Sequence, residues 1–386
     1  MRTIIYTGKG GVGKTSLSAA TALASARAGH RTLVMSTDSA HSLGDSLAVK
    51  LGSDPTPVTT NLEGQEVDVL TEMERHWKEV YSYLTDLLQS QGMTEITAKE
   101  IVILPGMDLI AALLLLENYE REHRYDVVVM DTAPTADTLR LLSMPDVLRW
   151  YFDRFFSMQR RIVKLARPTV GRVMKTPLPK DSFFKAIETL YDRAQHVRSM
   201  LSDGKQTTVR LVVNPQKMVI SETQRAYTYL CLFDIPIELL VVNNVLPGTE
   251  EGGFLKEART EEKRNLEQIR ETFGEVPLLY SPRYPHEVLG IDRLLTLASD
   301  VFHQDDPSKI YASLRPVRFF TRGGVKKISI ELPFVENEKL EVVARGDTLY
   351  VRVGWHRRTI LLPYAYIGSE LGEAKYAGTR LTIDFK

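Results

Sequence analysis

Gly8, Lys9, Gly10, Gly11, Val12, Gly13, Lys14 and Thr15 follow the pattern G-x-x-x-x-G-K-[ST], in which the glycines let successive backbone N–H groups wrap phosphate oxygens without side-chain obstruction. In that pattern Lys14 meets the terminal phosphates, Thr15 offers its hydroxyl to Mg²⁺, and Ser16 continues the site into the following helix. The context is the one the mechanism needs, since the loop follows RTIIYT, read as a strand, and opens SLSAATALASARA, read as a helix. The implied chemistry is hydrolysis of ATP with Mg²⁺ as cofactor. Lys9 is poorly placed to duplicate Lys14 in the same loop; it serves a nucleotide elsewhere or is a solvated loop lysine. Two acids close strands beside this loop: Asp38 in STDSAHSL and Asp131 in YDVVVMDTAPT. Asp38 can orient an attacking water and Asp131 can join the Mg²⁺ shell, unless each is only a strand-end turn residue or helix N-cap.

The elements that must carry these groups read as βαβ units. Short apolar runs at Thr3 to Thr7, Thr32 to Thr37, Val67 to Leu70, Tyr125 to Met130, Val209 to Val213, Ile237 to Val242 and Val276 to Tyr280 alternate with helical patterns, which predicts an α/β fold with a doubly wound, mostly parallel sheet. The gaps at about 72–122 and 139–206 exceed a minimal crossover and predict a helical insertion subdomain. The polar segment HQDDPSK follows residue 302, and from Val317 the period shifts from 3.6 to 2. The expected division is an ATPase domain at 1–305 and a small all-β sandwich at 316–386, with strands in VKKISIELP, KLEVVARG, TLYVRVG, RRTILLP and TRLTIDF.

Composition narrows the classes. The 386 residues hold 49 Lys plus Arg against 49 Asp plus Glu and are 43% hydrophobic, a soluble globular balance not steered toward nucleic acid or membrane. One cysteine, Cys231, excludes an intramolecular disulfide and any zinc or iron-sulfur cage built from several thiolates of one chain. With the first strand starting at once and no apolar run of about 18 residues, a cytoplasmic protein without leader or span is expected.

KGGVGKT, STDSAHSL, DTAPTADTLRLLSMPD and NPQKMVISETQR, in this order and spacing, resemble the arsenite-pump ATPase family of signature-lysine P-loop proteins, which includes the guided-entry ATPases that deliver tail-anchored membrane proteins. The resemblance spans about residues 1–305. It implies a homodimer in which Lys9 reaches the partner's nucleotide across a two-fold axis, Asp38 as the water-activating carboxylate with His41 and Ser42 beside it, and Asp131 to Thr135 as the start of a second switch. It also implies Asn243 as the adenine-reading asparagine and Pro282 in the lining of the base pocket. Where the eukaryotic members carry Gly-His, this chain has Ala136 and Asp137, and their CxxC zinc clasp has no counterpart. A metalloid site needs several thiolates, which a lone cysteine does not supply.

Phe152, Phe155, Phe156, Ile162 and Val163, with Met158 nearby, recur at helical spacing. From Arg149 to Lys185 ten Arg and Lys face two Asp and Glu, a local net charge of about +8. In the targeting members the equivalent insertion holds a client's membrane helix, so the resemblance implies hydrophobic helical clients and peripheral membrane contact; an ordinary helix with a solvated basic face fits as well. The tail strings ISIELPFVENEKLEVVARGDTLYVRVG and RRTILLPYAYIGSELGEAKYAGTRLTIDF resemble an α-crystallin sandwich, as in the zinc-free cyanobacterial and plastid branch. Such a tail either takes a polypeptide strand on an exposed edge or serves as a lid or dimer brace. A pump subunit, a cell-organisation switch and a degenerate nucleotide-binding scaffold are the competing readings.

Overall fold

A computed structural model describes residues 1–38, 42–68, 71–72, 75, 78–95, 97, 107–132, 181–248, 253–312, 315–335, 340–354 and 356–386. Eight strands form one sheet: β1 (Arg2–Gly8), β2 (Thr32–Ser36), β3 (Thr56–Thr59), β4 (Leu62–Glu66), β5 (Val127–Asp131), β6 (Thr207–Val213), β7 (Ile237–Val245) and β8 (Leu278–Pro282). Their order is β3-β4-β2-β5-β1-β6-β7-β8, and only β3 runs antiparallel to its neighbour. β1, β2, β5, β6 and most of β7 are buried, as near-continuous Val, Ile and Leu runs should be when helices cover both faces. The chain runs from β1 outward to β2 on one side and continues with β6 on the other. Beside β1 the direction of winding reverses, which is where an open α/β sheet leaves a crevice at its C-terminal edge.

The described α-helices are α1 (Lys14–Arg27), α2 (Ser42–Leu47), α3 (Lys78–Ser90), α4 (Met107–Arg121), α5 (Asp181–Ser202), α6 (Lys217–Leu232), α7 (Gly253–Phe273) and α8 (Ile291–Phe302). Helix α1 is rich in alanine and buried on nearly every side, so it lies close against the sheet and α8. Tyr6 under it meets the Thr21 hydroxyl at 2.7 Å.

The expected strand at Val67 to Leu70 is displaced. The fourth strand is Leu62–Glu66, paired Ser36 to Glu66, preceded by an antiparallel arm at Thr56–Thr59; Leu70 lies outside the described residues. The string LEGQE reads as polar, yet its strand is buried because its polar ends are satisfied. Gln65 donates to the Ser53 carbonyl at 2.7 Å and accepts from the Tyr119 hydroxyl at 3.0 Å, while Glu66 accepts the Gly44 N–H at 2.9 Å. The last strand of the sheet likewise starts at Leu278 rather than Val276.

Beyond α8, β9 (Val317–Arg322), β10 (Val325–Glu331), β11 (Leu340–Arg345), β12 (Thr348–Val353), β13 (His356–Leu361), β14 (Leu371–Ala377) and β15 (Arg380–Phe385) make two antiparallel sheets, ordered β14-β15-β10-β9 and β11-β12-β13. Ile328, Ile330, Leu349, Val351, Leu381 and Ile383 form their buried core. β9 and β14 add to the strands expected from the pattern. VRFFTR alternates poorly and LGEAKYA exposes most of its side chains, so neither carries a period-2 apolar signal.

The sandwich rests on α6. Val317 N–H donates to Asp234 at 3.1 Å, the Thr228 hydroxyl donates to the Pro333 carbonyl at 2.5 Å, and Arg358 donates to the Leu232 carbonyl at 2.5 Å. Phe334 meets Tyr227 and Phe273 edge-on beside this contact while those two rings are tilted against each other, with centroids 5.7 to 6.1 Å apart.

Near the N-terminal ends of β1 and β7, Arg210 and Glu238 are fully buried and paired at 2.8 Å. Glu238 also takes Arg2 at 2.7 Å, and Arg210 donates to the Pro307 carbonyl at 2.5 Å, pinning the segment after α8. Removing the shared acid leaves buried cations uncompensated. Glu238→Ala should therefore cost about 3–5 kcal/mol in urea denaturation, whereas Arg31→Ala, which breaks the exposed pair with Asp126, should change stability little. Equal effects would show that burial does not set the value of these pairs.

Candidate active site

Strand β1 ends in Gly8, and α1 starts at Lys14 with Gly13 as its N-cap. The loop between them passes unusually close to its neighbours. A Cβ on Gly8 would sit 2.5 Å from the Val212 carbonyl, and one on Gly13, whose φ is 95°, would sit 2.2 Å from the Asn243 amide nitrogen. Glycine is thus demanded by the backbone approach as well as by the dihedral. The approach is used: Asn243, nearly buried, donates to the Val12 carbonyl at 2.7 Å. Asn214, with its amide oriented to suit its neighbours, donates to the same carbonyl at 3.2 Å and to the Asn243 carbonyl at 3.3 Å. Two side chains from the ends of β6 and β7 hold the loop from below. Gly10 and Gly11 lie on its exposed side, and a Cβ at Gly11 would meet nothing within 4 Å.

Thr15 on the first turn of α1 donates to Asp131 Oδ2 at 2.7 Å, and its oxygen lies 3.5 Å from the Ser42 hydroxyl. Asp131 is 1% exposed, and its other oxygen, Oδ1, is buried and makes no hydrogen bond among the described residues. Burial pushes this carboxyl up to about 6 against the pull of the Thr15 hydroxyl and the Lys14 ammonium. Burial likewise lowers the Lys14 ammonium, opposed by Asp131, Asp38 and Glu222, so these charges share one small volume. Lys14 Nζ donates to the Lys9 carbonyl at 3.2 Å, folded across the loop. Asp38 lies half-buried two residues past β2, its N–H donating to the Ser36 hydroxyl at 3.1 Å.

An orphaned buried carboxylate oxygen beside a threonine hydroxyl is a hard, oxygen-rich donor set that fits Mg²⁺. The described residues offer no cluster of three or more His, Cys, Asp and Glu for a metal cage. A cation here would complete its shell from phosphate and water, as Mg²⁺ does in nucleotide sites. Ser16 borders the same region, lining with Thr15, Ser42 and Leu289 a cavity of about 1000 Å³.

Lys9 is half-buried, its ammonium 3.6 Å from Glu222 on α6 of the same chain. Pattern reading missed Glu222 and Asn214. Both sit in NPQKMVISETQR, but nothing local says that this helix start faces the loop more than 200 residues before it. Pro282 closes β8, and its neighbours Arg283 and Tyr284, with Asn244, line a cavity of about 460 Å³. His41, Thr135, Ala136, Asp137 and the apolar stripe from Phe152 to Val163 lie outside the described residues.

A glycine loop between a buried strand and a helix N-terminus, an acid at the end of the adjacent strand and a second acid past β2 define a P-loop nucleotide hydrolase. The chain belongs to the anion-transporting ATPase family, whose profile matches residues 1–303, and it is an ATPase. Residues 323–385 match the HSP20-like domain found in ArsA. A protein provisionally named arsenical pump-driving ATPase 1 in Aquifex aeolicus is 39% identical over 99% of both chains. The correspondingly named protein of Chlorobaculum tepidum is 37% identical over all of this chain and 96% of its own. ATPase ASNA1 homolog 1 of Paramecium tetraurelia is 30% identical over 76% of this chain and 90% of its own.

The bracing of Val12 yields a non-additive expectation. Asn243→Ala should weaken ATP binding modestly, because Asn214 remains as a donor. The double replacement strands a buried carbonyl at a cost of about 1–3 kcal/mol and should lose more affinity than the single losses combined. Calorimetric titration with ATP checks this; additive losses would remove Asn214 from the brace.

Proposed function

We propose that the chain is a Mg²⁺-dependent ATPase that works as a homodimer and couples its nucleotide state to the opening and closing of a groove for hydrophobic helices. The observation that carries the hydrolytic half is the convergence of Lys14, Thr15, Asp131 and Asp38 on one loop with its carbonyl braced from beneath. Backbone amides from Gly10 to Thr15 bind the terminal phosphates, and Lys14 offsets their charge. Thr15 and Asp131 are the residues that would hold Mg²⁺, which supplies neutralisation of phosphate charge when bound. Asp38 accepts a proton-side hydrogen bond from water and orients it in line with the γ-phosphoryl group.

Lys9 carries the dimeric half. Its ammonium already sits at a partly solvated carboxylate, so exchanging Glu222 for a phosphoryl group across a two-fold axis trades one anionic partner for another. The client half rests on the amphipathic stripe from Phe152 to Val163 with its basic surroundings, and on relatives whose name marks them as ASNA1 homologues. A second reading, a pump-driving subunit, is favoured by the names of other relatives. Trivalent arsenic demands several thiolates, whereas Cys231 is single, and burial pushes its thiol well up. None of the described helices is long and apolar enough to cross a membrane.

Asp38→Asn should lower ATP turnover at least about 100-fold while leaving nucleotide affinity within about twofold, the signature of a lost proton-handling group. Unchanged turnover would take Asp38 out of the mechanism. Lys9→Ala should abolish both turnover and the dimer that sedimentation velocity detects with a non-hydrolysable ATP analogue. A monomeric wild-type enzyme at full activity would sink the two-fold arrangement, and failure to bind an apolar helical peptide in any nucleotide state would sink the client groove.

A further inference from the structure

The outer face of the four-stranded sheet carries a charge pattern that the ATPase does not use. Arg318, Phe320 and Arg322 alternate along β9 on the face away from the sandwich core, with the two arginines about 13 Å apart at the rise of an extended strand. Their cross-strand neighbours continue the basic face, since Lys327 lies opposite Phe320 and Arg380 follows on β15. With Arg315 these residues line a cavity of about 1100 Å³. Lys327 and Arg380 are already paired, at 2.6 Å with Asp384 and at 2.7 Å with Glu331. Arg315, Arg318 and Arg322 are exposed and have no carboxylate partner among the described residues.

The same strand also has open backbone. β9 is an edge of its sheet, and among the described residues β10 is the one strand it pairs with. The two-residue Gly323–Gly324 turn makes Arg322 and Val325 the closing pair, so Arg318, Phe320 and Arg322 bond inward and Phe319 and Thr321 present their N–H and C=O groups outward. Val317, next in that outward series, already donates its N–H to a carboxylate, Asp234. Like charges along such an edge repel a second basic strand, so the exposed guanidinium groups of β9 leave its open backbone selective for an acidic one.

We infer that β9 accepts an acidic, extended segment of a partner polypeptide as an added strand. Main-chain hydrogen bonds to Phe319 and Thr321 would hold the segment, and its alternate carboxylates would fall at the period-2 spacing of Arg318 and Arg322, where planar guanidinium groups take them bidentately. A strand-forming acidic peptide satisfies both the backbone and the charges. A nucleic acid would satisfy only the charges, and three unpaired cations on an otherwise neutral protein are few for a phosphate backbone. The inference stands apart from the ATPase reading, because none of these residues touches the phosphate loop.

The probe is a fluorescein-labelled peptide of alternating glutamate and valine, titrated into the full chain at low ionic strength and followed by anisotropy. Saturable binding is expected, weakened at least tenfold in the Arg318→Glu/Arg322→Glu variant and in Thr321→Pro, with ATP turnover and melting temperature unchanged in both. A proline-interrupted peptide of equal charge should bind at least tenfold more weakly to the unaltered chain, which tests the edge without any variant. The inference is overturned by absence of binding, by equal affinity for the double variant or for the interrupted peptide, or by a single-stranded oligonucleotide that binds more tightly than the peptide.

Discussion

One hydrogen bond, from the half-buried Thr15 hydroxyl to the buried Asp131 carboxylate, ties the end of β5 to the first turn of α1, and the rest of the site is arranged around the cost of burying that carboxylate. A carboxylate with 1% of its surface exposed is expensive to ionise unless cations and donors surround it. The chain supplies Lys14 on the same helix turn and the positive end of the helix itself. This geometry exists only because β5 is inserted between β2 and β1, which puts Asp131 level with Tyr6 on one side and Ser36 on the other. Asp38, two residues past β2, is brought to the same edge by that order.

The bond also constrains the loop. Lys14, the next residue back, folds across the loop to the Lys9 carbonyl, and the backbone of residues 9–13 turns tightly over the ends of β6 and β7. The turn is tight enough that Gly13 and the Asn243 amide leave no room for a methyl group. The carbonyl of Val12 points to the asparagines, which fixes the middle of the loop from the side of β6 and β7. Lys9, at the start of the turn, is held by Glu222 from α6, so a single helix start touches both a charged tip of the loop and, through Asn214 just before it, the loop's underside.

What could be read from the chain before its structure follows a physical division. The phosphate loop, Asp38 and Asp131 were legible because strand, turn and helix N-terminus are adjacent in sequence and carry strong local signals. The α/β class followed from buried apolar runs such as VVVM. By contrast, LEGQE was not legible as a strand, since its burial depends on Ser53, Tyr119 and Gly44 satisfying its polar side chains. The role of Asn243 as a loop brace and the pairing of Glu222 with Lys9 are set by contacts across more than 200 residues, for which no local pattern exists. β9 was not legible because five of its six side chains are exposed, so its two faces carry no apolar-to-polar contrast.

The seat of the sandwich on α6 has a consequence for shorter versions of this chain. A protein cut after α8 would lose the guanidinium that caps the Leu232 carbonyl and the ring of Phe334 that leans on Tyr227 and Phe273. It would gain, in exchange, a newly wet aromatic patch and an unanswered helix end at the far side of the nucleotide sheet. Covering this end of α6 is thus a task that the C-terminal domain performs for the nucleotide-binding domain.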